Sequence, residues 1–153
     1  MTLMESSVRR SPCGQVADVL HWPQSPPSPS PPRVVVLFVP GNPGLPQYYI
    51  PFLEAVQRAL SPSSCAVYAL GHLGHSAAAP RIWTGNAVVG LRGQVEDKVS
   101  FVDELDQQWA FGRVGGAKLV VIGHSIGSWV ICEVSPTIQS QGGVALGRRA
   151  LID

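Results

Sequence analysis

The sequence predicts an α/β fold, an open and mostly parallel sheet with helices on both faces. Three observations carry this. The runs Val34 to Val39 (VVVLFV), Cys65 to Leu70 (CAVYAL) and Lys118 to Ile122 (KLVVI) are apolar without alternation, as strands buried on both faces are. The segments between them place apolar residues at helical spacing. Strand, helix, strand, helix, strand, turn, helix is the order that parallel sheets with right-handed crossovers require.

The opening segment MTLMESSVRRSPCG has no apolar run of signal-peptide type and reads as a frayed end. Arg9 and Arg10 among serines are a faint transit-peptide feature, offset by Glu5 and the shortness of the segment. Gln15 to Trp22 (QVADVLHW) roughly alternates, which predicts a short half-buried strand. Residues 23 to 32, PQSPPSPSPP, lack the N–H groups for a ladder or helix and read as an extended connection. Their alternative reading is a ligand for a proline-recognising partner.

Tyr49, Phe52, Leu53, Val56 and Leu60 predict the first helix, with Pro51 in its first turn and Ser61-Pro62 closing it. A second amphipathic helix is expected from about Gln94 to Trp109, with Val95, Val99, Val102, Leu105 and Trp109 near one face and an acidic, solvated opposite side. Gly115-Gly116 ends that pattern. No internal repeat is evident. The last stretch, VSPTIQSQGGVALGRRALID, breaks at Ser135-Pro136 and Gly142-Gly143. The chain thus divides into an N-terminal strand with a proline-rich connection (1–33), an α/β unit (34–135) and a divergent tail (136–153).

The 153 residues are 45% hydrophobic and 14% charged, which suits one globular unit and excludes a disordered or coiled-coil chain. With 11 basic and 10 acidic residues dispersed along the chain, there is no electrostatic footprint for nucleic acid or an anionic membrane. Small or apolar partners are expected instead. Cys13, Cys65 and Cys132 have neither metal-ligand nor CxxC spacing, and their odd number fits no closed disulfide framework, so a reducing compartment is the default. No segment approaches the ~18 apolar residues of a membrane span, so any membrane contact is expected to be peripheral.

The third buried strand runs directly into Gly123-His124-Ser125-Ile126-Gly127. In a G-x-S-x-G elbow the serine projects from a tight turn between strand and helix, and the glycines remove Cβ atoms that would collide. Gly123 and Gly127 meet that need and make Ser125 the candidate nucleophile. The helix starting at Ile126 offers its free N–H groups to developing negative charge, so the Ile126 amide is an expected oxyanion donor. Pro40-Gly41-Asn42-Pro43-Gly44 stands where the first buried strand ends, the loop that supplies the other donor in this arrangement, and the Asn42 amide is the candidate. The bland alternatives are a serine filling a turn and a purely structural strand-end loop. A dinucleotide-binding oxidoreductase is disfavoured, because Gly41 to Gly44 lacks G-x-G-x-x-G spacing and no acid ends the next strand.

These residues resemble the α/β-hydrolases and, within them, the lipid-droplet-associated hydrolases. The likeness rests on LFVPGNPG (37–44) followed by Tyr48/Tyr49-x-PF, GHLGHS (71–76), GLRGQVEDKVSF (90–101) and VVIGHSIGS (120–128), and covers residues 34 to 132. It implies a partial α/β-hydrolase fold lacking its C-terminal strands. It also implies a serine carboxylic-ester hydrolase of lipase or esterase type, acting on neutral-lipid or sterol esters at lipid droplets or the endoplasmic reticulum, on the cytosolic face. Such chemistry needs no metal and no organic cofactor.

In α/β-hydrolases the acid and histidine follow the serine. Here only Glu133 and Asp153 are acidic after Ser125, and His21, His72, His75 and His124 all precede it. His124 is expected to point away from the elbow, while His75 is either a polar loop residue or a non-standard base. A truncated product, a splice form or an incomplete gene would explain the missing groups, and an unprotected sheet edge is expected with it. The alternative function is therefore a non-catalytic product that binds the droplet surface or partner proteins. Trp129 and Cys132 are expected to pack toward the sheet.

Overall fold

The computed structural model describes residues 3–78 and 88–140. One sheet contains β1 (Glu5–Arg10), β2 (Val16–Trp22), β3 (Val34–Val39), β4 (Cys65–Leu70) and β5 (Lys118–Gly123), in the spatial order β1-β2-β4-β3-β5. β3 pairs in parallel with β4 and β5, whereas β1 with β2 and β2 with β4 are antiparallel, so the sheet is mixed. The helices are α1 (Ile50–Ala59), entered through a 3-10 turn at Pro46–Tyr49, α2 (Leu91–Trp109) and α3 (Ile126–Ser140).

The missing alternation of β3 and β4 has its cause in the packing. α1 covers one face, closing a core of Leu20, Trp22, Val36, Phe38, Leu53 and Val67. α2 and α3 cover the other, packing Phe101, Val102, Leu105 and Val130 over Val35, Leu37, Tyr68, Leu70 and Val121. Every residue of β4 is buried, and apolar burial of this kind contributes about 1.5–3 kcal/mol per large side chain.

Several expectations need correction. The N-terminal end is not frayed: Glu5 to Arg10 forms β1, paired residue for residue with β2. Arg9 ties it down, donating from Nε to Asp97 Oδ1 (3.1 Å) and from Nη1 to Glu104 (2.6 Å), both on α2. Phe52 and Leu60 lie 40% and 42% exposed, because α1 meets the sheet chiefly through Leu53 and Gln57. α2 begins three residues before the expected Gln94, at Leu91. Its polar side is not wholly solvated, since Gln94, Asp97 and Lys98 are buried.

α3 continues through Pro136 instead of breaking there. The proline removes one helical hydrogen bond, that to the carbonyl of Cys132, which lies on the exposed side where water can serve it. Val130, Ile131 and Val134 form the buried stripe of α3, and this turns Trp129 (42% exposed) and Cys132 outward, contrary to expectation. The expected break at Gly142-Gly143 lies outside the described residues. Among the described residues, no helix is long and apolar enough to cross a membrane.

Candidate active site at the carboxyl edge of the sheet

Parallel pairing sets Val39 opposite Gly123, so β3 and β5 end side by side on one edge. Both motifs identified in the sequence start from these two strand ends. Ser125 follows β5 by two residues and holds φ +54°, in the left-handed region that costs an L-residue roughly 1–2 kcal/mol. It is exposed, and its hydroxyl makes no hydrogen bond to the described protein.

The glycines make this turn sterically feasible. A Cβ on Gly127 would lie 2.3 Å from the Val39 carbonyl oxygen, and one on Gly123 would lie 2.7 Å from the Ser128 nitrogen. A Cβ on Gly41 would meet the Cβ of Ser125 at 2.9 Å and Nδ1 of His124 at 2.8 Å. The loop after β3 therefore lies directly against the turn after β5.

The turn is stitched by Gly127 N–H donating to the His124 carbonyl and Ser128 N–H to the Ser125 carbonyl, both at 2.9 Å. Gly44 N–H closes the other loop on the Gly41 carbonyl (2.8 Å), and the Asn42–Pro43 bond within it is cis. The amides of Asn42 and Ile126 donate to no protein acceptor among the described residues. Asn42 is exposed, and Ile126 opens a helix of 15 residues whose dipole favours negative charge at this end.

His124 is exposed and turns its ring toward the loop after β3, where Nδ1 lies 2.9 Å from the Tyr49 hydroxyl. The same hydroxyl accepts a hydrogen bond from Gly41 N–H at 3.3 Å. In the sequence, Tyr49 stands out as a member of an apolar helical stripe and within Tyr48/Tyr49-x-PF, but with no role for its hydroxyl. Its phenol group joins the two loops.

The loop after β4, Gly71 to Ala77, is held by side chains whose structural role the sequence patterns did not reveal, although Gln94 and Lys98 lie in the GLRGQVEDKVSF motif. Gln94 of α2 donates to the Leu73 carbonyl (3.0 Å) and accepts from its N–H (2.9 Å), copying a strand partner. Lys98 Nζ donates to the Gly71 carbonyl at 2.7 Å and to Asp97 at 3.0 Å. Burial pulls the Lys98 pKa down, against the raising effect of Asp97. Asp18, fully buried in β2, accepts from Gln47 Nε2 (2.6 Å), Ala77 N–H (2.7 Å) and the Ser76 hydroxyl. Spacing of four between Gln94 and Lys98, on a face looking at loop backbone, was the available signal.

His72 is buried beneath Gly44, whose absent Cβ would otherwise lie 2.8 Å from that of His72. Burial first, then Lys98 and His75, push its pKa down to about 4, so the ring is neutral near pH 7. His75 is exposed, its backbone bridges to Ala17, and it makes no hydrogen bond to Ser125 among the described residues. No histidine or carboxylate hydrogen-bonds Ser125 among the described residues.

The family model for "Lipid-droplet associated hydrolase" matches residues 32–146. The human lipid droplet-associated hydrolase is 33% identical over 133 residues, which take in 80% of this chain and 37% of the human protein. The Drosophila melanogaster protein of that name is 29% identical over 109 residues, 67% of this chain and 33% of its own. The chain spans about a third of the length of the curated relatives it matches. Among solved structures, a thermostable carboxyl esterase from Bacillus coagulans matches with a TM-score of 0.68 at 19% identity, over 95% of this chain and 44% of the esterase. A soluble variant of monoglyceride lipase from Saccharomyces cerevisiae matches with a TM-score of 0.69 at 14% identity, with the same coverage of 95% and 44%. These likenesses establish the shared α/β-hydrolase fold.

Proposed function

Because the chain belongs to the lipid-droplet-associated hydrolase family, we propose that it carries the nucleophile and oxyanion-binding part of a serine ester hydrolase. Ser125 attacks the acyl carbonyl, and the Asn42 and Ile126 amides receive the oxygen as it gains charge. The observation carrying this reading is the strained, unpartnered Ser125 set against the backbone of Gly41. Strain kept at an exposed polar residue, beside two amides without protein acceptors, is what a site for a tetrahedral intermediate needs.

The proposed substrate is an ester of a neutral lipid or sterol, met at the surface of lipid droplets or of the endoplasmic reticulum from the cytosolic side. The names of the family and its relatives support the droplet, and the esterase and lipase among the structural neighbours support the ester bond. No metal or organic cofactor is required by this chemistry. Attack by a serine hydroxyl still requires a base. Among the described residues, none of the four histidines hydrogen-bonds Ser125, so these contacts identify no base.

The absence, among the described residues, of a histidine or carboxylate hydrogen-bonded to Ser125 supports a second reading, a non-catalytic product that binds the droplet surface or partner proteins. Treating the purified chain with a fluorophosphonate probe separates the two. Labelling at Ser125 that rises with pH, as hydroxide replaces the missing base, and that Ser125→Ala abolishes, is the expected result. A folded chain that stays unlabelled across the pH range would leave only the binding role.

A further inference from the structure

We infer that Tyr49 is a positioning residue, whose hydroxyl pins the loop after β3 to the turn after β5 and so fixes the spacing of the two oxyanion amides. The inference rests on the reading of Ser125 as an acyl-accepting serine. It concerns a residue outside the elbow and outside the oxyanion loop itself.

The two proposed donors belong to segments far apart in sequence. Asn42 follows β3, and Ile126 follows β5. Strand pairing between β3 and β5 stops at Val39 and Gly123, and beyond it His124 N–H still reaches the Val39 carbonyl at 3.2 Å. Past that point, the side-chain link between the segments is Tyr49. Its oxygen accepts from Gly41 N–H, one residue before Asn42, and is hydrogen-bonded to Nδ1 of His124, two residues before Ile126. With the His124 tautomer protonated at Nε2, the Tyr49 O–H donates to Nδ1 while its oxygen accepts from Gly41 N–H, so both contacts use the hydroxyl at once.

The ring is anchored independently of its hydroxyl. It packs tilted on Phe38 of β3 with centroids 4.6 Å apart, and tilted on the His124 imidazole at 5.7 Å. It also stands at the junction of the 3-10 turn and α1, as the residue that caps the N-terminus of α1. A rigid aromatic thus presents one oxygen to both halves of the oxyanion site. Oxyanion stabilisation depends on donors already in place at the correct separation, so a fixed pin matters more here than a flexible contact.

Tyr49→Phe in the full chain removes the hydroxyl and keeps the ring on Phe38. Two measurements follow: amide hydrogen exchange at Gly41 and at residues 124–126, and the fluorophosphonate kinetics of Ser125, resolved into the inactivation rate and the initial binding constant. The expected result is at least about fivefold faster exchange at Gly41, with the β3 amides unchanged. Inactivation slows by about tenfold, and the binding constant holds, because positioned donors act on the charged state and not on probe binding. Unchanged exchange overturns the pin whether or not the serine reacts. Faster exchange with an unaltered inactivation rate overturns the positioning role. If the wild-type chain is never labelled, the hydrolase reading fails, and the pin stands or falls on exchange alone. Should Tyr49→Phe not fold, His124→Ala breaks the bridge from its exposed end while leaving the Gly41 contact in place, and it is judged by faster exchange at residues 125 and 126 and by the inactivation rate, unchanged values of both overturning the pin.

Discussion

The loops after β3 and β5 and the loop after β4 lie on one edge of one sheet, yet they use their polar groups in opposite ways. Around Ser125 the backbone is strained, and the Asn42 and Ile126 amides donate to no protein acceptor among the described residues. Around Gly71 to Ala77 backbone groups of the loop are met by buried side chains, among them Gln94 and Lys98 from α2 and Asp18 from β2. Loop backbone hydrogen-bonded to buried side chains makes a buttress, although the His72 ring nitrogens within it are buried without hydrogen-bond partners among the described residues, whereas unsatisfied donors beside a strained residue make a place for a ligand. The contrast supports the proposed chemistry at the β3 and β5 ends, with the β4 end as their support.

The largest expected effect lies on the buttress side. Asp97→Ala leaves Lys98 buried without its carboxylate and costs about 3–5 kcal/mol of unfolding free energy in urea titrations. Lys98→Met, which removes the buried charge and keeps much of the volume, is expected to cost less than half as much. Equal losses in the two variants would mean that packing, and not an uncompensated charge, holds the loop.

A smaller effect comes from His72 at the border of the two regions. Its folded pKa of about 4 lies below the unfolded value of about 6.5, so between these values the unfolded chain binds more protons. The stability linked to neutral His72 is therefore whole above pH ~6.5, is lost as pH falls toward 4, and amounts to about 3 kcal/mol at most. Chemical denaturation at a series of pH values should show that slope in the wild type and a shallower one in His72→Gln. Identical slopes would remove His72 from the account.

The smallest effect has the opposite sign. Ser125→Gly relieves the left-handed backbone but loosens the unfolded chain, for a net gain of about 0.5 kcal/mol in the same titrations. A stabilised variant without probe labelling would mark Ser125 as strained for chemistry. A destabilised one would make the turn a purely structural feature.

What could be read from the sequence follows the reach of each interaction. The elbow was legible because its glycine spacing answers to contacts within a few residues, and β3, β4 and β5 because burial on both faces removes alternation locally. β1 was not legible. ESSVRR offers one apolar residue, Val8, which is 42% exposed, and its strand form comes from pairing with β2 and from Arg9 reaching Asp97 and Glu104 about ninety residues away. The buried Gln94, Asp97 and Lys98 contradict the rule that charge faces water, because loop backbone on the other side of the contact needs partners. Tyr49 reads as apolar packing until its hydroxyl is seen between two loops that only the fold brings together.

The spatial order of the strands also bears on how the chain is made. β3 lies between β4 and β5, both of which are synthesised after it, and β2 pairs with β4 across the intervening β3 and α1. As the polypeptide leaves the ribosome, VVVLFV emerges with neither neighbour yet made and stays unpaired until residues 65–70 follow it out. During that interval the most apolar strand of the molecule is open to chaperones that hold extended nascent segments, and to other copies of itself.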